Sequence, residues 1–322
     1  MQYRRLGRTG LRVTPLCFGG NVFGWTIDED TSFAVLDAYH AGGGNFIDSA
    51  DVYPRWMPGN QGGESEAILG RWMAARGNRA EIVLATKAGS EMSAAPNGKG
   101  LSRQHIMHAV EESLRRLQTE YIDLYQAHFD DTETPLEETL RAFDDLIRAG
   151  KVRYIGASNY SAWRLTSALW QSDKHSLASY VSHQPVYNLI KRDEFERELE
   201  PLCLDQGIGV IPYSTLASGF LTGKYRRDGV LPSSGRATGV KNRYMNERGF
   251  AILDAVDAVA RDHNATPTQV ALGWILARPS ITAPIASATT IEQTNELLGA
   301  LDVHLSADAL ATLDAASAWK SA

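Results

Sequence analysis

The chain has 322 residues, 43% hydrophobic and 22% charged, with a formal net charge of -6, enough apolar material for a sizeable core. No stretch concentrates Lys and Arg and no run of about 18 apolar residues occurs, which argues against a nucleic-acid footprint and a membrane span. Cys17 and Cys203 lie far apart without CxxC spacing, so neither a disulfide framework nor a zinc site is expected. The start, MQYRRLGRTG, lacks the apolar core of a secretory signal, and a soluble cytoplasmic protein is expected.

The opening YRRLGRTGLRVTP sets Gly-centred turn residues between short runs and predicts a small hairpin. Eight short apolar runs follow, at 16–20, 45–49, 82–87, 122–128, 152–158, 179–184, 208–214 and 281–286, separated by stretches of helical periodicity. A helix over 31–41 ends at Gly42-Gly43-Gly44, which turns into the second strand. In 102–118, Ser102 is placed to cap the first turn, and Ile106, Val110, Leu114 and Leu117 share one face. Pro135 suits a first helical position; Leu140, Phe143, Leu146 and Ile147 follow, and Gly150 supplies a left-handed stop. Thr266-Pro267 opens another helix with Val270, Ala271, Trp274 and Ile275 as its buried stripe.

No internal repeat, low-complexity tract or charge run divides the chain, so one domain over 1–322 is expected. A doubly wound open sheet binding a dinucleotide would carry GxGxxG after its first strand, and GGNVFGWT does not match. The favoured fold class is therefore α/β, a closed (β/α)8 TIM barrel with an N-terminal β-hairpin and a C-terminal helical extension.

Such barrels keep their chemistry at the C-terminal ends of the strands. Read there, strand two gives Asp48 with Tyr53 close behind, strand three Lys87, and strand four His128. Each alone has an ordinary explanation: a cap, a packed ring, a solvated amine, a structural imidazole. Four titratable groups at three consecutive strand ends form a constellation. Carbonyl reduction needs a hydride and a proton for the oxygen. Tyr is a weak acid, with a usual pKa of about 10, and a nearby Lys ammonium is expected to lower it. Asp48 would pair with Lys87, and His128 would orient the carbonyl oxygen towards Tyr53. No metal is required.

Over essentially its whole length the sequence resembles the aldo-keto reductase superfamily. The blocks that carry the resemblance are FIDSADVYP, VLATKAG, YIDLYQAH, GKVRYIGASNYSA, HQPVYNLI, PYSTLASGFLTGKY and PIASATTIEQ. The long loop after GKY is most similar to bacterial general reductases and potassium-channel β-subunits. The resemblance implies that Tyr53 is the general acid/base, supported by Asp48, Lys87 and His128. It also implies nicotinamide contacts from Ser158, Asn159 and Gln184, a ring stack from Tyr213, and a phosphate approach along Ser214, Leu216, Ser218 and Gly219. GFLTGK is not a P-loop: its spacing is one short and Tyr225 replaces the Ser/Thr.

After strand eight the sequence departs from the family pattern. Ser287, Thr289, Gln293 and Glu296 remain as adenosine contacts, but Leu297 stands where the family has Asn, and no Lys or Arg occurs between 279 and 319. Lys224 and Arg236, in the loop 223–245, are the candidate phosphate cations. They favour NADP(H), with NAD(H) as the alternative. Val22, Trp25, Trp56, Met57 and Phe129 are expected to line an apolar wall for a small-molecule carbonyl or alcohol. The expected function is NAD(P)H-dependent interconversion of a carbonyl and an alcohol. A cofactor-binding, redox-sensing regulatory subunit with slow turnover is the alternative, and a different barrel chemistry such as isomerisation is a third. Oligomeric state is not legible.

Overall fold

The computed structural model describes residues 2–319. The chain starts with the predicted hairpin, Arg4–Arg5 pairing antiparallel with Arg12–Val13. Eight parallel strands follow: β1 (Cys17–Gly19), β2 (Phe46–Asp48), β3 (Val83–Ala88), β4 (Ile122–Ala127), β5 (Val152–Ser158), β6 (Ser182–Gln184), β7 (Gly209–Val210) and β8 (Ile285–Ala286). The first five crossovers carry α1 (Glu29–Ala41), α2 (Glu64–Arg76), α3 (Arg103–Leu117), α4 (Leu136–Arg148) and α5 (Ala162–His175). A π-helical turn, Phe195–Leu199, runs into α6 (Glu200–Gln206) in the sixth. The seventh holds α7 (Ala237–Tyr244), α8 (Glu247–Asp262) and α9 (Pro267–Leu276); α10 (Ile291–Gly299) and α11 (Ala307–Ala316) follow β8. None of these helices is long and apolar enough to cross a membrane.

The strands pair in chain order from β1 to β7, and β8 pairs with β1. A parallel bridge between Val210 and Ile281, with the Thr282 N–H on the Val210 carbonyl, closes the ring into a (β/α)8 barrel. β7 and β8 are shorter than the predicted runs 208–214 and 281–286. Pro212 and Pro284 interrupt them, because proline has no N–H to give a ladder. Beyond Pro212, Tyr213 recovers only a single bridge, to Val186.

The helix ends follow local chemistry. Ser102 accepts the His105 N–H at 3.3 Å, and Thr266 and Gln269 form a reciprocal capping box. α1 begins at Glu29 rather than 31 because Asp28 caps it through the Thr31 N–H. Pro135 stands just outside α4, with an extended ψ of 132°, so Leu136 is the first helical residue. Gly150 is left-handed at φ 74°, as predicted.

Two cores result. The larger fills the space between the helices and the outer face of the barrel. The smaller lies inside it, where Phe46, Val83, Ala85 and Leu124 point inward and Leu6 and Val13 of the hairpin join from below. Side chains along a strand alternate faces. The inward set that starts at Phe46, Ala85 and Leu124 therefore continues as Asp48, Lys87 and Gln126 towards the C-terminal end. An apolar floor thus carries a polar layer.

Candidate active site

Lys87, fully buried, stands at the centre of that layer. Its Nζ donates to Asp48 Oδ2 at 2.5 Å, to the Ser49 carbonyl at 2.7 Å and to the Tyr53 hydroxyl at 3.3 Å. An ammonium has three protons, and these three acceptors use them. Asp48 Oδ1 accepts from Gln126 Nε2 and Gln184 Nε2, each at 3.0 Å. The buried ion pair is therefore hydrogen-bonded on both sides, the condition under which burying two charges is tolerated. Gly156 leaves the space: a Cβ there would sit 2.4 Å from Ser182 Oγ and 3.2 Å from Gln126 Cγ.

Burial works against the Lys87 charge, but Asp48 and Tyr53 outweigh it, so its pKa lies above the ordinary lysine value. Tyr53 departs from expectation. Burial raises the phenol above its ordinary value, and the opposing pull of Lys87 has the predicted sign but is the smaller effect; Asp48 adds to the rise. The hydroxyl is thus protonated at neutral pH, the state in which a phenol has a proton to give. His128 is held well below the ordinary histidine range by burial, with Lys87 adding, so its ring is neutral. Its Nδ1 lies 3.0 Å from Ser90 Oγ, and Phe129 stacks on the ring at 4.7 Å.

Asn159 links this group to the next strands. It is left-handed at φ 59°, and its Nδ2 donates to the His128 carbonyl at 2.9 Å and to Ser158 Oγ at 3.1 Å. Its Oδ1 accepts from the Tyr213 hydroxyl at 2.9 Å, while Ser158 Oγ donates to the Gln184 carbonyl. Asp48, Lys87, Tyr53, Gln126, Gln184, Ser158, Asn159 and Tyr213 therefore form one connected network. Gln184 spends its amide N–H groups on Asp48 and Gln126 Oε1, so what it offers a ligand is its amide oxygen.

After Tyr213 the backbone is left-handed at Ser214, Ala217, Ser218 and Gly219. Leu216, between them, packs against the core. Such a run of sparsely populated conformations turns peptide groups in a way that suits anion-binding concavities. The Lys224 amine crowds over Gly219, where a Cβ would be 3.1 Å from Nζ. Arg236 stacks on Trp25 at 4.8 Å with Nη2 buried and unpartnered, and burial lowers the pKa of both cations. Among the described residues neither has an acidic partner. Beyond β8, Ser287 Oγ donates to Asn21 Oδ1, and Gln293 Oε1 accepts from both N and Oγ1 of Thr289. Glu296 is further along α10, and Leu297 is buried in the core.

The aromatic wall assembles in part. Trp56 packs edge-on against Tyr53 at 5.5 Å and Trp25 against Trp56 at 5.4 Å; Trp56 and Phe129 remain about half exposed. Val22 does not join them. It is buried in the main core, and its carbonyl gathers the N–H groups of Trp25, Thr26 and Ile27, a turn that presents Trp25 instead. Met57 occupies the turn behind Trp56, its N–H on the Pro54 carbonyl. Sequence reading missed Gln126, Ser90 and Asn21. Gln126 had a signal: it falls two residues before His128, on the same face of a strand. Ser90 and Asn21 are ordinary loop residues, visible only once their partners are in place. Clefts elsewhere, such as one of about 410 Å³ beside Arg4 and Ser280, lack a comparable set, and Arg4 is tied to the Ile281 and Leu276 carbonyls.

The model of the Aldo/keto reductase family matches residues 15–318. The chain is 38% identical over 319 residues to the oxidoreductase YrpG of Bacillus subtilis, covering 98% of this chain and 95% of that one. It is 36% identical to a probable voltage-gated potassium channel subunit beta of Arabidopsis thaliana, covering 94% and 92%. Against norsolorinic acid reductase B of Dothistroma septosporum the identity is 34%, covering 98% and 81%.

Proposed function

The chain belongs to the aldo/keto reductase family of NAD(P)H-dependent oxidoreductases, and on that premise we propose that it is a single-domain cytoplasmic carbonyl reductase using NADP(H). The observation that carries the reading is Lys87 Nζ bonded at once to Asp48 and to the Tyr53 hydroxyl, beneath an aromatic wall. When bound, the reduced nicotinamide supplies hydride to the carbonyl carbon. The Tyr53 hydroxyl gives its proton to the carbonyl oxygen, and the adjacent Lys87 ammonium stabilises the phenolate left behind. Asp48 holds the ammonium in place, and His128 donates a hydrogen bond to the same carbonyl oxygen. Trp25, Trp56 and Phe129 exclude water from one side.

The donor set fits a nicotinamide dinucleotide. Gln184 has an amide oxygen to offer a carboxamide, with Ser158 and Asn159 beside it, and Tyr213 supplies an aromatic face. The left-handed segment through Gly219 suits the pyrophosphate. Ser287, Thr289, Gln293 and Glu296, which follow β8, are the groups available to the adenosine. Among the described residues Arg236 and Lys224 have no acidic partner, and the buried, unpartnered Arg236 Nη2 suits a 2′-phosphate. Losing one charged hydrogen bond of about 1.5–3 kcal/mol corresponds to roughly 10–100-fold. Arg236→Ala is accordingly expected to lower kcat/KM for NADPH by that factor and leave NADH unchanged. An unaltered NADPH value would remove the proposed contact.

The direct test follows NADPH oxidation across a panel of aliphatic, aromatic and sugar-like carbonyls. Turnover with any class supports the reductase. Tight NADPH binding without turnover supports instead a redox-sensing regulatory subunit, the reading suggested by the channel-subunit relatives. The intact bonding of Asp48, Lys87 and Tyr53 favours turnover.

A further inference from the structure

The hydrogen on the His128 ring has two possible places, and only one suits the reaction. A neutral imidazole donates through one nitrogen and accepts through the other. A carbonyl oxygen is an acceptor, so the nitrogen facing it must carry the hydrogen. Nδ1 is taken by Ser90 at 3.0 Å, which leaves Nε2, unbonded among the described residues, to face a substrate.

Ser90 is brought there by construction. Gly89, at φ 114°, makes the turn out of β3, and a Cβ on it would meet the Leu101 side chain at 2.9 Å. The Gly100 N–H binds the Gly89 carbonyl, and the next N–H, of Leu101, binds Asp131 Oδ2 at 2.7 Å. Asp131 lies in the loop that follows His128 and also accepts from Glu133 and Thr134. The His128 N–H in turn binds the Ala88 carbonyl. The loops after β3 and β4 are thus tied on both sides of the Ser90–His128 contact, while Phe129 holds the ring plane. Burial keeps the ring neutral, so its tautomer, not its charge, is what remains to be set. Nδ1 is the only hydrogen-bond partner of the Ser90 hydroxyl among the described residues.

We propose that Ser90 is a positioning residue whose hydroxyl donates to His128 Nδ1, holding the imidazole as the Nε2–H tautomer that can donate to the substrate carbonyl oxygen. The consequence for catalysis rests on the reductase reading; the tautomer does not.

The test is a long-range ¹H–¹⁵N spectrum of the cofactor-free protein labelled at histidine, with the His128 signals assigned by their loss in His128→Gln. Wild type is expected to show a bare Nδ1 and a protonated Nε2. Ser90→Ala is expected to shift the ring towards Nδ1–H or an exchanging mixture, and Ser90→Thr to restore the original pattern. Loss of one neutral hydrogen bond typically corresponds to up to about tenfold. Ser90→Ala should accordingly lower kcat about tenfold, leave the KM for NADPH unchanged, and be rescued by Ser90→Thr. An Nδ1–H ring in wild type, or a spectrum unmoved by Ser90→Ala, overturns the proposal. Wild-type protein that turns over no carbonyl would sink the reductase reading while leaving the tautomer result intact.

Discussion

Tyr53→Phe is expected to lower kcat by about a thousandfold in both directions, in the range that general acid–base groups contribute. Cofactor affinity should not change, because the network around Asn159, Gln184 and Tyr213 does not run through the phenol oxygen. Stability should fall by about 1–3 kcal/mol, since removing the phenol oxygen leaves one proton of the buried Lys87 ammonium without its acceptor. Steady-state kinetics with carbonyl and with alcohol, together with NADPH fluorescence titration, check this. Retained turnover would exclude Tyr53 as the proton donor.

The same residue fixes the pH dependence. Burial raises the Tyr53 pKa above its usual value of about 10. Reduction needs the protonated phenol, so its rate should stay level through neutral pH and fall only in the alkaline range. Alcohol oxidation needs the phenolate, so its rate should rise with pH throughout the neutral range. A neutral-pH fall in the reduction rate would mean that another group donates the proton.

Lys87→Met is expected to damage both catalysis and folding. Its ammonium pulls the Tyr53 pKa down, so removing it raises that pKa further. Reduction then has a weaker acid and an unstabilised phenolate, and kcat should fall by about a thousandfold. The alkaline rise of the oxidation rate should move to higher pH. On the folding side, Asp48 is left as a buried carboxylate with only the two amide donors of Gln126 and Gln184. Breaking one side of a buried pair typically costs about 3–5 kcal/mol. The denaturation midpoint should drop with little change in slope. Asp48→Asn combined with Lys87→Met removes both charges and should be more stable than Lys87→Met alone. If the double variant is less stable, the ion pair is not the source of the loss.

The position of the four titratable residues was legible because two periodicities coincide. A strand turns every second side chain inward, and a barrel gathers strand ends at one mouth, so strand position alone puts Asp48, Lys87 and His128 there. The chain repeats strand and helix clearly enough to count eight, and its caps, at Ser102 and Thr266, are local chemistry read directly from residue types. Leu297 in place of an amide, and the absence of Lys or Arg between 279 and 319, were equally plain. What the sequence could not state is which polar groups meet. Gln184 turns its amide to Asp48 and Gln126 rather than outward, and Gly156 leaves the room that the Gln126 side chain occupies. Val22 is buried in the main core, while its carbonyl closes the turn that carries Trp25. Burial lifts the phenol of Tyr53 against the pull of Lys87, a balance no spacing expresses. The sequence by itself determined the alternation of eight strands with helices, because that follows from backbone periodicity, and the missing GxGxxG together with the family resemblance selected the barrel that gathers their ends. The tertiary structure alone decided the protonation and pairing inside that ring, because desolvation and hydrogen-bond competition exist only once distant segments share one buried space.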